Sequence, residues 1–291
     1  MNTSDSKPTI LSVLAHPDDE TFGMGGTLAL YAQRGMPVHL ICATRGEVGV
    51  VDPEYLEGFE SVAALREHEL RCAAGILGLA GVHFLDYRDS GMSGSEDNHH
   101  PKALAAAPVD EVAAQIAHYI RRLKPQVVLT FDPIGGYHHP DHIAIHNAAV
   151  RAFELADDNS FPTNGLPAYR PDGLYYHIMP RGYLRWLVRL MPLLGRDPRR
   201  YGRNEDIDLV ALSRDDFPVH AVIDYKSVKG LKEQATACHA SQGGTGTSRG
   251  VWGWIRRLRG DKDHFMRAYP PPNSRRRAKD LFEGLDHVSS R

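Results

Sequence analysis

Ile10-Leu11-Ser12-Val13-Leu14-Ala15-His16-Pro17-Asp18-Asp19-Glu20 is the stretch on which the fold turns. A short apolar run leads into an imidazole, a proline and three carboxylates. The run reads as a buried strand and the charged cluster as the turn at its carboxyl end. The pattern recurs at Val127-Val128-Leu129-Thr130-Phe131, which precedes His139-Pro140-Asp141-His142. Open α/β sheets gather their ligand-binding groups at strand ends. Two such clusters, facing one another, could hold a divalent metal and a proton-transfer group together.

Strand and helix signals alternate around these two runs. Residues 10–15 read as a strand, 27–34 as the end of a helix stopped by Gly35, and 38–43 as a second strand. Residues 63–77 pattern as a helix ended by Gly78, and 82–85 as a third strand. Across 109–123, Val112, Ile116, Ile120 and Leu123 fall close to helical spacing, and Pro125 closes the segment. Residues 127–131 form the fourth strand and 142–155 the helix after it. Repeated βα units imply an α/β, doubly wound, mostly parallel sheet (Rossmann-like) with helices on both faces. After about Pro180 the pattern degrades, although 219–223 reads as a strand, 227–239 as a helix and 242–250 as a Gly/Ser/Thr-rich loop. Residues 270–272 and 275–277 read as a surface connector. The expected division is a core over residues 1–180 and a C-terminal elaboration over 181–291 that packs on the core and shapes the substrate pocket.

The bulk properties are those of a soluble globular protein: 42% hydrophobic and 24% charged residues, with a net charge of −2 that argues against nucleic acid. No apolar stretch reaches the roughly 18 residues of a membrane span. Residues 1–8 are polar and lack the apolar centre of a secretory signal, which points to a cytoplasmic protein. Cys42, Cys72 and Cys238 are an odd number and read as free thiols in a reducing compartment. Residues 181–203 mix seven arginines with Leu184, Trp186 and Leu187, as an interfacial helix, a lid or a packed helix would. Pro192 and Gly195 interrupt that pattern and argue against peripheral membrane contact. Gly23-Met24-Gly25-Gly26 lacks the full dinucleotide fingerprint, and neighbouring carboxylates would repel phosphate. Trp252-Gly253-Trp254-Ile255-Arg256-Arg257 reads as a surface helix rather than a single-strand binding site. Oligomeric state is left open, homo-oligomer included.

The two clusters carry the chemistry. His16 and Asp19 lie three apart and, if Pro17 starts a turn into a helix, point to one side. His142 would complete a three-ligand set for Zn2+ or Fe2+ with an open position, the arrangement of a hydrolytic metal site. Asp18 is then the candidate general base. His139 can polarise a carbonyl, stabilise an oxyanion or protonate a leaving amine, with Asp141 bonding its other nitrogen. Gly135-Gly136 would admit a substrate close to the backbone, and Tyr137 would offer a phenol to the oxyanion. His138 and His146 make a competing set with His139 and His142, of which His146 reads as a packed histidine.

These motifs resemble the LmbE-like, PIG-L-type de-N-acetylase family, in particular its mycothiol-pathway deacetylase and amidase branch. The resemblance rests on Ala15-His16-Pro17-Asp18-Asp19-Glu20 and His139-Pro140-Asp141-His142 in order. It extends to Gly25-Gly26-Thr27, Thr44-Arg45-Gly46-Glu47, Arg66 with Glu69-Leu70, Arg88-Asp89-Ser90-Gly91-Met92, Asp132-Pro133 through Gly135-Gly136-Tyr137, and His239-Ala240-Ser241-Gln242. It implies zinc or iron(II) on the positions of His16, Asp19 and His142, Asp18 as base, and His139 and Tyr137 as electrostatic or acid partners. It implies an N-acetylglucosamine-containing small molecule or glycoconjugate as substrate, with acetate and a free amine as products. In this context Arg66, Asp89, Glu47 and His239 are candidate substrate contacts. An amidase of a non-sugar or thiol-conjugate amide, and a sugar-binding module without catalysis, are the alternative readings.

Overall fold

The computed structural model describes residues 7–162, 164–201, 208–244, 260–272, 274 and 276–285. Its strands are β1 (Ile10–Leu14), β2 (Val38–Cys42), β3 (Gly81–Phe84), β4 (Val127–Phe131), β5 (Gly173–Ile178), β6 (Ala221–Asp224) and β7 (Lys262–Tyr269). Its helices are α1 (Gly25–Gln33), α2 (Val62–Leu77), α3 (Val109–Leu123), the single turn α4 (Gly135–His138), α5 (Pro140–Asp157), α6 (Arg181–Leu190), the single turn α7 (Leu209–Leu212) and α8 (Lys229–Cys238). The strands form one sheet in the order β3-β2-β1-β4-β5-β7-β6. The first five are parallel, and β7 runs antiparallel to both its neighbours. The expected doubly wound, mostly parallel α/β fold is therefore present. The chain winds from β1 to one side and from β4 to the other, so the switch point lies between these two strands. Their register, Ile10 against Val127 and Ser12 against Leu129, brings the His16 turn and the segment after Phe131 out side by side.

β1 and β4 are buried along their whole length, as strands covered on both faces must be. α3 buries Val112, Ile116 and Ile120 and packs along α5. From α3 the buried Arg121 donates to the carbonyls of Leu155, Ala156 and Asp158 at the end of α5, where the last carbonyls lack their regular intrahelical partners. Gly26 of α1 lies under the Tyr225 ring, where a Cβ would collide with the ring carbons. Its glycine thus serves packing, in keeping with the rejected nucleotide loop.

β5 and β7 escape the sequence patterning. β7 alternates, but Asp263 and Arg267 occupy two of its buried positions beside Phe265. Asp263 is satisfied by Thr27, whose N–H and hydroxyl each donate at 2.8 Å. The segment 181–291 thus supplies strands to the same sheet, and Ile223, Ala235 and Phe265 belong to the same core as β1. α6 and α7 form a satellite cluster of Leu184, Leu187, Met191, Leu209 and Leu212, against which Ile134 and Tyr137 pack. Residues 202–207 and 245–259, with most of the expected loop and the Trp252-Gly253-Trp254 run, lie outside the described residues. Among the described residues no helix is long and apolar enough to cross a membrane.

The cysteine reading requires correction. Cys72 and Cys238 are joined as a disulfide, and only Cys42 is a free, buried thiol. Side-by-side packing of α2 and α8 brings the two Cα atoms to 6.0 Å. A separation of 166 residues hides that proximity in the sequence. A reducing compartment can no longer be argued from three free thiols.

Candidate metal and active site

The turn after β1 is fixed by its own side chains. The His16 N–H donates to Asp19 Oδ2 at 2.7 Å. The carbonyl of Asp18 accepts from the N–H groups of Thr21 and Phe22 at 3.0 and 2.9 Å. Asp18 itself has φ of 118°, which L residues rarely adopt. Helix formation begins not at Pro17 but at Glu20, through a π-helical turn that leads into α1. From the second motif, Pro140 opens α5 and His139 is its N-cap.

These turns bring the three expected ligands together. His16 Nδ1 lies 3.2 Å from His142 Nε2 and 3.6 Å from Asp19 Oδ2, and His142 Nε2 lies 3.2 Å from Asp19 Oδ1. The remaining ring nitrogens settle the tautomers. His142 Nδ1 faces the Gly135 carbonyl at 3.1 Å, and His16 Nε2 faces Asp141 Oδ2 at 3.0 Å. Both partners only accept, so these nitrogens carry the protons. Two lone pairs and a carboxylate then converge on one point, which a cation must neutralise. Burial opposes charge on His16, yet Asp89, Asp141 and Asp19 hold its pKa well above the ordinary value. Burial likewise opposes charge on Asp19, and His142 and His16 hold its carboxyl far below the usual range. A two-imidazole, one-carboxylate set suits Zn2+ or Fe2+. Gly135 permits the approach: it has φ of 63°, and a Cβ there would meet His142 Cβ at 2.7 Å.

Around this point stand the expected reacting groups. Asp18 is pushed up to about 6, chiefly by burial and against the pull of the Arg66 guanidinium. His139, buried beside His16 and His142, is pushed down to about 2. Its ring centroid lies 4.7 Å from that of His16 and 4.9 Å from that of His142. Its Nδ1 accepts the Asp141 backbone N–H at 3.2 Å, which leaves the proton on Nε2. Burial, with Asp19 and Asp18 nearby, drives the Tyr137 phenol well above 10.

Several expected contacts differ. The Asp141 carboxylate does not bond His139; its backbone does, because a side chain at the second residue of α5 points away from the N-cap. That carboxylate instead holds His16, and it accepts from the Ser90 N–H at 2.9 Å and from the Ser90 hydroxyl. Asp89 lies 3.5 Å from His16 Nε2. Arg66 donates to Pro17 O at 2.6 Å, Asp18 Oδ2 at 3.0 Å and Gly46 O at 3.1 Å. Glu47 accepts the Asp89 N–H at 3.0 Å. His239 is wholly buried against Glu20 rather than lining an opening. His146 bonds the Phe131 carbonyl at 2.8 Å and His138 pairs with Asp215 at 3.3 Å, so neither joins the set. Sequence reasoning assigned no role to Glu20, Ser90, Asp132 or Arg181. Asp132 shapes the Gly135-Gly136 turn by accepting the Gly136 N–H at 2.8 Å, and Arg181 donates to the Gly136 carbonyl at 3.1 Å. Their full burial as polar groups is the identifying feature, and only the tertiary structure reveals it. Beside the Asp18 turn, Thr21, Phe22, His177 and Lys232 help to line a cavity of 610 Å³.

Residues 11–153 match the family described as PIG-L, GlcNAc-PI de-N-acetylase. A 1D-myo-inositol 2-acetamido-2-deoxy-alpha-D-glucopyranoside deacetylase of Geodermatophilus obscurus is 37% identical over 250 residues, covering 80% of this chain and 82% of that protein. The protein of the same name from Streptomyces scabiei is 39% identical, covering 80% and 76%. Among solved structures, N,N'-diacetylchitobiose deacetylase from Pyrococcus horikoshii is 20% identical with a TM-score of 0.61, covering 92% of this chain and 87% of that one. The 4-carboxy-2-hydroxymuconate hydratase GalB of Pseudomonas putida gives 20% and 0.60, covering 92% and 98%, so the fold alone does not specify the reaction. On the identity and coverage of its relatives, this chain belongs to the PIG-L, GlcNAc-PI de-N-acetylase family.

Proposed function

We propose that the chain is a metal-dependent amidase that removes the acetyl group from an N-acetylglucosamine unit on a small-molecule carrier such as an inositol. The observation that carries this reading is the meeting of His16 Nδ1, His142 Nε2 and Asp19 within 3.6 Å of one another, beside a carboxylate and a neutral imidazole. Zn2+ or Fe2+ held by these three residues would supply Lewis acidity, polarising the amide carbonyl and acidifying water. Asp18 takes a proton from the attacking water as its oxygen bonds the carbonyl carbon. It then returns that proton to the nitrogen as the C–N bond breaks, releasing the amine and acetate. A carboxyl raised to about 6 suits both transfers near neutral pH. His139, neutral and protonated on Nε2, donates a hydrogen bond to the oxyanion, as does the Tyr137 phenol. Arg66 fixes the Asp18 carboxylate through its bond to Oδ2.

The test is a panel of amides: N-acetylglucosaminyl-inositol, N-acetylglucosamine alone and a thioether-conjugate amide, assayed for acetate and for primary amine. Acetate release that stops on chelation and returns with Zn2+ or Fe2+ is the expected result. Asp18→Ala should keep one metal per chain and lose turnover. Normal hydrolysis by that variant would remove the base assignment, and turnover of the thioether conjugate alone would replace the sugar substrate.

A further inference from the structure

Glu20 and His239 are 219 positions apart and wholly buried, with Oε1 and Nε2 2.6 Å from one another. His239 Nδ1 has no hydrogen-bond partner among the described residues, so Glu20 provides its side-chain hydrogen bond. The second oxygen of Glu20 accepts the N–H of Asp18 at 3.0 Å. Asp18 is the residue held at φ of 118°. Such a backbone persists only where its surroundings over-determine it.

The chain on either side of His239 is tied to α2. Cys238 is bonded to Cys72, and the N–H and hydroxyl of Ser241 donate to the Glu69 carboxylate, each at 2.8 Å. α2 also carries Arg66, which grips Pro17 O and Asp18 Oδ2. One helix therefore holds the Asp18 turn by two routes. The first is direct, through Arg66. The second runs through the end of α8, His239 and Glu20. Both members of the buried pair are shut away from solvent, so neither can touch substrate.

We propose that Glu20 and His239 are positioning residues: they clamp the Asp18 backbone so that its carboxylate is aimed for proton transfer, and they govern turnover rather than substrate binding. This rests on the reading of Asp18 as base. It also gives the segment after residue 181 a part in catalysis without a contact to substrate.

A double-mutant cycle tests it. His239→Ala should lower kcat by about 10- to 100-fold, as small misplacements of a reacting group do, with one zinc per chain retained. KM should stay within about twofold, since uniform binding is untouched. In an Asp18→Ala background the same change should lower the residual rate by less than about twofold, because the group being aimed is gone. His239→Gln, whose amide can still donate to Glu20, should recover part of kcat. Equal losses in both backgrounds, unchanged kcat in His239→Ala, or a change confined to KM would overturn the proposal. Wild-type turnover by Asp18→Ala itself would instead remove the base reading, which the same cycle reports separately. Should circular dichroism show His239→Ala unfolded, Glu20→Gln enters the same cycle with the same expected pattern and the same refuting outcomes.

Discussion

Replacing Asp141 by asparagine and by alanine separates its two conceivable partners, His16 and His139. The carboxylate is fully buried, lies 3.0 Å from His16 Nε2 and accepts both donors of Ser90. Asparagine can keep its oxygen toward His16 and the Ser90 N–H and turn its amide to the Ser90 hydroxyl, so that the charge is lost and the hydroxyl changes from donor to acceptor. Alanine removes the acceptor altogether. Loss of a partner behind a metal-ligating histidine costs roughly 10- to 100-fold in metal affinity. Asparagine should fall near the tenfold end, about 1.4 kcal/mol, and alanine near 100-fold, about 2.7 kcal/mol. Asp89, 3.5 Å from the same nitrogen, moderates both. Alanine also strands the buried Ser90 N–H, for about 1–3 kcal/mol of folding stability. Titration of metal-free protein with Zn2+ against a chromophoric chelator gives the affinities, and thermal melting of the same samples gives the stability. Wild-type affinity in both variants would refute the reasoning. If Asp141 instead served His139, kcat would fall while metal affinity stayed constant.

Further substitutions probe the Asp18 turn and the packing of α1. Arg66→Ala removes the cation that lowers the Asp18 pKa, so the acid limb of kcat/KM should move to higher pH and kcat should fall; a pH–rate profile with an unmoved limb would count against the pairing. In metal-free protein, Asp18 at about 6 lies above the ordinary aspartate value, so the folded state binds its proton more tightly than the unfolded chain does. Stability is therefore lost as pH rises from about 4 through about 6. Melting curves of Asp18→Asn should lack that decline, and a parallel decline in both proteins would exclude this source. Gly26→Ala places a methyl against the Tyr225 ring and should cost about 1–3 kcal/mol by overpacking. Tyr225→Ala should relieve that added cost in a combined variant, which denaturant titration reads directly.

Much of the architecture was legible because the period of a buried parallel strand and of its covering helix is written in consecutive residues. β1, β4 and α3 follow their apolar runs closely. β7 was hidden because Asp263 and Arg267 fill positions at which a pattern reader requires hydrocarbon; Asp263 is satisfied by Thr27, more than two hundred positions away, and Arg267 donates to the Glu283 carbonyl. The cysteine pair was hidden for the same kind of reason: helix packing, not spacing, joins α2 to α8. In the site, residue types and motif order named His16, Asp19 and His142, whose donor atoms the fold brings together. Side-chain direction was not legible. Asp141 turns to His16 instead of His139, because a helix start sends adjacent side chains to different faces, and Arg66 reaches the Asp18 turn because α2 packs beside it.

The alternation of strand and helix, the placing of both charged clusters near strand ends and the chemical kinds available there were readable from short stretches of residues. Those are local properties, set by burial and by the donors and acceptors each residue carries. The folded arrangement of distant elements settled which atom meets which. It set β1 beside β4, chose the protonated nitrogen of each histidine, and brought His239 against Glu20 across most of the chain. Such pairings follow from the packing of whole elements, and no short stretch of residues contains them.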